Sequence, residues 1–152
     1  MFLIIHTLLG VLLGLSFNSL TLIAFFGILS HFVLDMIPHW DGNFNKSKFN
    51  IFGIADLDKN AYFLLIADTI VSSMIILFLF QYYGNWVVVF ASIIAVSPDI
   101  ANLGYLTRLK DNKYYIGFLK FHSKIQREVE MKRGLLIQGI FLVILIFLII
   151  SK

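Results

Sequence analysis

Five long apolar runs constrain this chain more than anything else in it: roughly 2–17, 19–38, 61–83, 86–104 and 134–151. Each is close to the ~17–25 residues that a helix needs to cross a bilayer. In water such runs would have to be hidden in a core. A chain of 152 residues, 59% of them hydrophobic and only 14% charged, has too little interior for that. The runs predict an all-α, polytopic helical membrane protein. About five transmembrane helices form one membrane domain over 1–152, with a loop at 39–60 and a basic amphipathic segment at 105–133. The first run lacks a basic n-region and a small-x-small cleavage site and carries His6, so it is expected to remain as a mature helix. Gly10 and Gly14 give that helix a small-xxx-small face that a neighbour can approach closely. The chain has no cysteine, which excludes disulfides and thiolate metal sites.

Charge asymmetry orients the helices. The segment 105–133 carries Arg108, Lys110, Lys113, Lys120, Lys124, Arg127, Lys132 and Arg133 against Asp111, Glu128 and Glu130. The turns near 16–20 and 81–86 have no Lys or Arg. By the positive-inside rule the basic segment is cytoplasmic, which places the loop 39–60 and the N-terminus there too and the C-terminus outside. The expected setting is a multi-pass protein of the cell membrane, with Tyr82, Tyr83 and Trp86 in an outer aromatic belt. The net charge of +3 then serves orientation and attraction to the membrane surface, and no nucleic-acid partner is expected.

On that topology the ionisable residues gather on one side. His6, His31, Asp35, His39, Asp68 and Asp99 all fall in the cytoplasmic halves of their helices, with Asp41 and His122 beside them in cytoplasmic segments. In "SHFVLDMIPHWD" (30–41), His31, Asp35 and His39 stand at i, i+4 and i+8, one stripe of a helix. Pro38 either disturbs the last step or ends the helix and turns His39 and Asp41 back toward the stripe. Imidazole and carboxylate are the ligand set for zinc and related divalent ions. A bound cation would also offset the cost, a few kcal/mol each, of charged groups near hydrocarbon. Plainer roles compete at several positions. His6 fits interfacial packing, Asp68 a hydrogen bond to a neighbouring helix, Asp99 a helix cap after Pro98, and His122 a solvated place on a membrane-surface helix. Ser30 is not paired with His31 as a nucleophile, because adjacent helical residues point about 100° apart. A weak internal echo sets His6-Thr7 against Asp68-Thr69 and Pro38-His39 against Pro98-Asp99, as a duplicated hairpin would.

Through Ser30, His31, Asp35 and Pro38, with Pro98-Asp99, His6-Thr7 and His122-Ser123, the chain resembles the LexA-regulated, membrane-bound metal-dependent hydrolases. Its H-x-x-x-D element is also similar to that of zinc-dependent phospholipase C and the single-strand-specific zinc nucleases. The H-R-G-x-T-H-S segment of longer family members has no counterpart here, and P-D and H-S follow the S-H-x-x-x-D helix. The resemblance implies a helical membrane enzyme with a His/Asp metal site.

The resulting expectation is a membrane-embedded, metal-dependent hydrolase with a cytoplasm-facing site. The metal ligands would be His6, His31, Asp35, His39, Asp99 and His122, holding one or two divalent ions, zinc first and manganese second. Asp41 or Asp68 would act as general base. The substrate would be a phosphoester or lipid-linked molecule, and the basic segment would hold an anionic lipid or phosphorylated headgroup. An ion or proton pathway built on the same Asp and His residues is the alternative, although the outer half lacks ionisable groups to continue it. A non-catalytic membrane module is the third reading. Transmembrane hydrogen bonds, averaging about 0.6 kcal/mol, give it little reason to insert so many ionisable groups.

Overall fold

Small residues decide which helix lies in the middle. In the computed structural model, which describes residues 1–40, 42, 59–102, 104 and 108–152, α1 (Leu3–Ser16) touches α2 (Leu20–Asp35), α3 (Lys59–Tyr83), α4 (Trp86–Asn102) and α6 (Met131–Ile150). The secondary-structure elements among the described residues are all helices apart from an isolated bridge, and α5 (Lys113–Ile125) completes the set. The predicted face of Gly10 and Gly14 meets α4, where Val88, Ala91, Ser92 and Ala95 are buried. A Cβ on Gly10 would fall 2.6 Å from Ser92 Cα, and one on Gly14 would fall 3.0 Å from Val88 Cα. Gly27 of α2 faces Ile94 of the same helix, so α4 is gripped from two sides by glycine-lined surfaces. Pro98 lies inside α4 and cannot supply a donor to Ile94; the Ser97 hydroxyl donates to that carbonyl instead, at 2.7 Å. Ile5, Leu8 and Val11 of α1, Leu34, Val88, and Leu145 and Ile149 of α6 form the apolar core around these contacts.

The outer helices are the long ones. α3 has a 22-residue span, Tyr62–Tyr83, and α6 has 20 residues; both are long and apolar enough to cross a membrane. Among the described residues of α3 only Ser72 is buried, and Phe63, Ile66, Ile70, Met74, Leu77 and Phe78 are exposed. α6 likewise exposes Leu136, Val143 and Phe147. Apolar surface of this extent is a surface for lipid or for partners. The three other apolar helices are shorter than the expectation of about five spans requires. α1, α2 and α4 have 14, 16 and 17 residues, hence about 21–26 Å of rise against a hydrocarbon thickness of about 30 Å. α2 stops at Asp35, three residues before its predicted end, because Pro38 disfavours helix in the residue before it and lacks an N–H. The helical stripe therefore keeps His31 and Asp35 and releases His39.

Within the segment 105–133 the described residues hold a 3-10 turn (Arg108–Asp111), α5, and an extended stretch ahead of α6. Asn112 caps α5, its Oδ1 accepting from the backbone of Tyr114 at 2.9 Å and Tyr115 at 3.3 Å. Beyond α5 the chain pairs with the residues following α2. Arg127 N donates to the Asp35 carbonyl, His39 N to the Arg127 carbonyl and Val129 N to the His39 carbonyl, at 3.1, 3.0 and 2.9 Å. This is a short parallel bridge between His39 and Glu128. Gly134 lets α6 lie directly against the backbone of Trp40, and Gln138 donates to the Trp40 carbonyl at 2.7 Å while accepting from Phe2 N at 3.0 Å.

Gly10→Ala should force α1 and α4 apart and lower stability by roughly 1–3 kcal/mol. Gly139→Ala, whose Cβ would meet nothing within 4 Å, should be neutral or stabilising by up to about 1 kcal/mol. Thermal unfolding midpoints in detergent check the pair, and equal shifts would contradict the close packing at Gly10.

Candidate metal centre

The site is assembled around the end of α2. His31 and Asp35 are one turn apart on that helix, and neither side chain has any exposure. His31 Nδ1 donates to the Ala95 carbonyl of α4 at 2.8 Å. That bond places a hydrogen on Nδ1, because a carbonyl can only accept, and it turns Nε2 into the site. Nε2 of His31 is 3.4 Å from Asp35 Oδ2. His122 arrives from α5, held there by the bridge just described. Its Nε2 lies 3.0 Å from Asp35 Oδ2 and 3.2 Å from His31 Nε2, and its Nδ1 faces Asn102 Oδ1 at 3.4 Å. Asp99 of α4 completes the group, with Oδ1 at 3.7 Å from both Nε2 atoms.

His31, Asp35, Asp99 and His122 each place one ligand atom within 4.8 Å of the other three, and together they can hold a metal ion. The separations bear a simple test. Ligands about 2.0–2.1 Å from a tetrahedral ion are about 3.3 Å from one another. Five of the six donor separations are 3.0, 3.2, 3.4, 3.7 and 3.7 Å, and the sixth, between Asp35 and Asp99, is within 4.8 Å. Two imidazole nitrogens and a carboxylate oxygen converge there, a donor set that a cation can bridge.

Asp35 also serves a second direction. Its Oδ1 is 3.2 Å from His6 Nε2 and 3.0 Å from the backbone nitrogen of Met1. The His6 ring is stacked on His31, centroids 4.1 Å apart and planes 25° off parallel. The approach of His6 to Asp35 is not an aligned hydrogen bond, and neither ring nitrogen of this buried residue has a hydrogen-bond partner among the described residues.

No protein-family model, curated protein or solved structure matches this chain.

Of the predicted ligands, the structure brings four together and sets His6 against the far oxygen of the shared carboxylate. His39 is buried but stands outside the four-residue group. Its Nδ1 is 2.8 Å from the Ile37 carbonyl, and its backbone makes the bridge to the stretch after α5. Asp41 lies outside the described residues. Asp68 has the plainer of its two predicted roles. It accepts from Leu3 N at 2.6 Å and Ile4 N at 3.1 Å, so its carboxylate caps the first turn of α1, where helical N–H groups lack partners of their own. His122, for which a solvated position was the plain alternative, is buried in the site. Asn102 is a site component that the sequence analysis did not include. Its contact with His122 depends on where α5 crosses, which no local pattern encodes.

Asp68→Ala should destabilise the protein by about 1–2 kcal/mol, the usual cost of an N-cap, and leave metal content unchanged. Unfolding midpoints together with elemental analysis check this; loss of bound metal with intact stability would move Asp68 into the site.

Proposed function

We propose that the chain is a membrane-embedded, metal-dependent hydrolase in which His31, Asp35, His122 and Asp99 hold a divalent ion. The observation that carries the reading is the set of five donor separations between 3.0 and 3.7 Å. The two-nitrogen, two-oxygen donor set suits zinc, with manganese the next fit. A phosphoester or lipid-linked substrate agrees with the cationic residues around the site and with the resemblance of residues 30–41. The five-helix topology, with the site on the cytoplasmic side, belongs to the same proposal. It is supported by the grouping of the His and Asp residues at the end of the molecule that α5 crosses.

Exposure separates the ligands into two kinds. The His31 and Asp35 side chains are 0% exposed and that of His122 is 2% exposed, while Asp99 is 27% exposed and 0.3 Å or more farther from its neighbours than they are from one another. Three close buried ligands and one loose, accessible position are the pattern of a catalytic site rather than a closed structural one. When bound, the ion would lower the pKa of water and polarise a phosphoryl oxygen. The chain's own residues do the rest. Ala95 and Asn102 orient the two imidazoles through their Nδ1 hydrogens. Through the carboxylate oxygen that does not bind the ion, Asp99 would accept the proton of an attacking water, and Asp41 remains another candidate base. The close backbone contact at Gly10 leaves no room for a pathway between α1 and α4.

Elemental mass spectrometry on detergent-purified protein should find about one zinc or manganese ion per chain. His31→Ala and Asp35→Ala should lose it with helicity retained. Asp99→Asn should keep much of the metal while phosphoester hydrolysis falls by ~10²–10⁴-fold, the usual effect of removing a general base. Wild-type protein that takes up no zinc, manganese or magnesium would overturn the proposal.

A further inference from the structure

One face of α5 points away from every other described element, and its chemistry is not that of a merely solvated helix. At 100° per residue, Lys113, Lys120 and Lys124 fall within about 20° of a single line, with Gly117 beside them. All three lysines are exposed, and a Cβ on Gly117 would meet nothing within 4 Å. Tyr114 and Phe121, 77% and 52% exposed, flank this stripe about 80–100° round the helix. The opposite side is the one that packs: Leu119 and His122 are buried, and the Tyr115 hydroxyl donates to the carbonyls of Ala101 and Asn102 at 2.9 and 3.1 Å. Tyr115 thus sits on the end of α4 and His122 on the end of α2. The seven residues between them rise about 10 Å, close to the spacing of neighbouring packed helices. α5 therefore crosses the end of the bundle, from which α6 departs with Lys132 and Arg133 exposed in its first turn.

We infer that α5 seats on anionic lipid headgroups through Lys113, Lys120 and Lys124, and that this seating holds His122 in the metal group. The inference rests on the metal-site reading above for its second half only. Charge complementarity selects the partner: Lys113, Lys120, Lys124, Arg127, Lys132 and Arg133 are exposed on this end, against exposed Asp111 and Glu130. The aromatic flank separates a lipid surface from a soluble polyanion, because a helix with a cationic stripe beside Tyr and Phe matches an interface that is charged on one side and apolar on the other. The coupling follows from attachment. His122 is the one member of the four-residue group that is not on α2 or α4, and it reaches Asp35 across 87 positions of sequence. Whatever restrains α5 restrains that ligand.

The test uses the full chain reconstituted in vesicles of phosphatidylcholine alone or with phosphatidylglycerol, beside the Lys113→Gln/Lys120→Gln/Lys124→Gln variant. Phosphatidylglycerol should slow amide exchange across 113–125 about tenfold and tighten zinc binding by about fivefold or more, measured by chelator competition. The variant should lose both responses while exchange in α1 and α4 stays as in the wild type. Equal α5 exchange in the two vesicle types, full protection in the variant, or the same protection from inorganic phosphate in neutral vesicles would overturn the seat. Lipid-dependent exchange with unchanged zinc affinity would overturn the coupling. Lipid-dependent exchange with no zinc bound in any vesicle would sustain the seat and overturn the metal reading instead.

Discussion

The Asp35 carboxylate is the constraint around which the rest is arranged. An ionised carboxylate with no exposure is costly unless each oxygen is matched by positive charge or donors. Here Oδ2 faces the imidazoles of His31 and His122, Oδ1 faces His6, and the residue's own carbonyl accepts from Arg127. These partners come from α1, α2, α5 and the stretch beyond α5. Satisfying one side chain therefore fixes the mutual placement of elements that share little other contact. α5 touches few elements among those described, and its position is set mainly at Asp35, at the end of α4 and by Phe32 against Phe121.

Polar residues can gather this closely only because the helices beneath them pack backbone to backbone. Gly10 and Gly14 bring α1 onto α4, and Gly27 brings α2 onto the same helix. Those approaches place His6, His31 and Asp99 within a few ångströms of one carboxylate. Gly134 does the equivalent work on the far side, letting Trp40 lie against α6 so that the residues after α2 run beside 126–130. Larger residues at these positions would widen the site before they disturbed any ligand.

Local pattern carried much of the reading and then stopped at identifiable points. The apolar runs marked the helices to within a few residues, and the i, i+4 relation of His31 and Asp35 survived because it depends only on helix geometry. The i+8 step to His39 did not survive, because Pro38 belongs to the end of a helix and not to its interior. Glycine spacing identified the inner face of α1 but not its partner. Asp68 shows a different limit: a carboxylate near a helix end has the same sequence signature whether it takes a proton or caps another helix, and only the neighbouring N–H groups of Leu3 and Ile4 distinguish the two. Asn102 and the Ala95 carbonyl were invisible as site components, since their roles lie in the second layer and depend on tertiary approach.

The parallel bridge between His39 and Glu128 bears on the order of assembly. Its two residues are separated by most of the chain, as are Asp35 and His122 at 87 positions, and contacts of such separation carry a larger loop-closure cost than local ones. The packing of α1 against α2 and α4 is complete in sequence before α5 has been synthesised. Helices thus meet first through glycine and apolar surfaces, with the carboxylate facing His6, His31 and the Met1 nitrogen. The four-residue group closes afterwards, when His122 is delivered from the far end of the molecule. The four-residue group is therefore complete only once α5 is in place, and it is lost when the end of the bundle loosens.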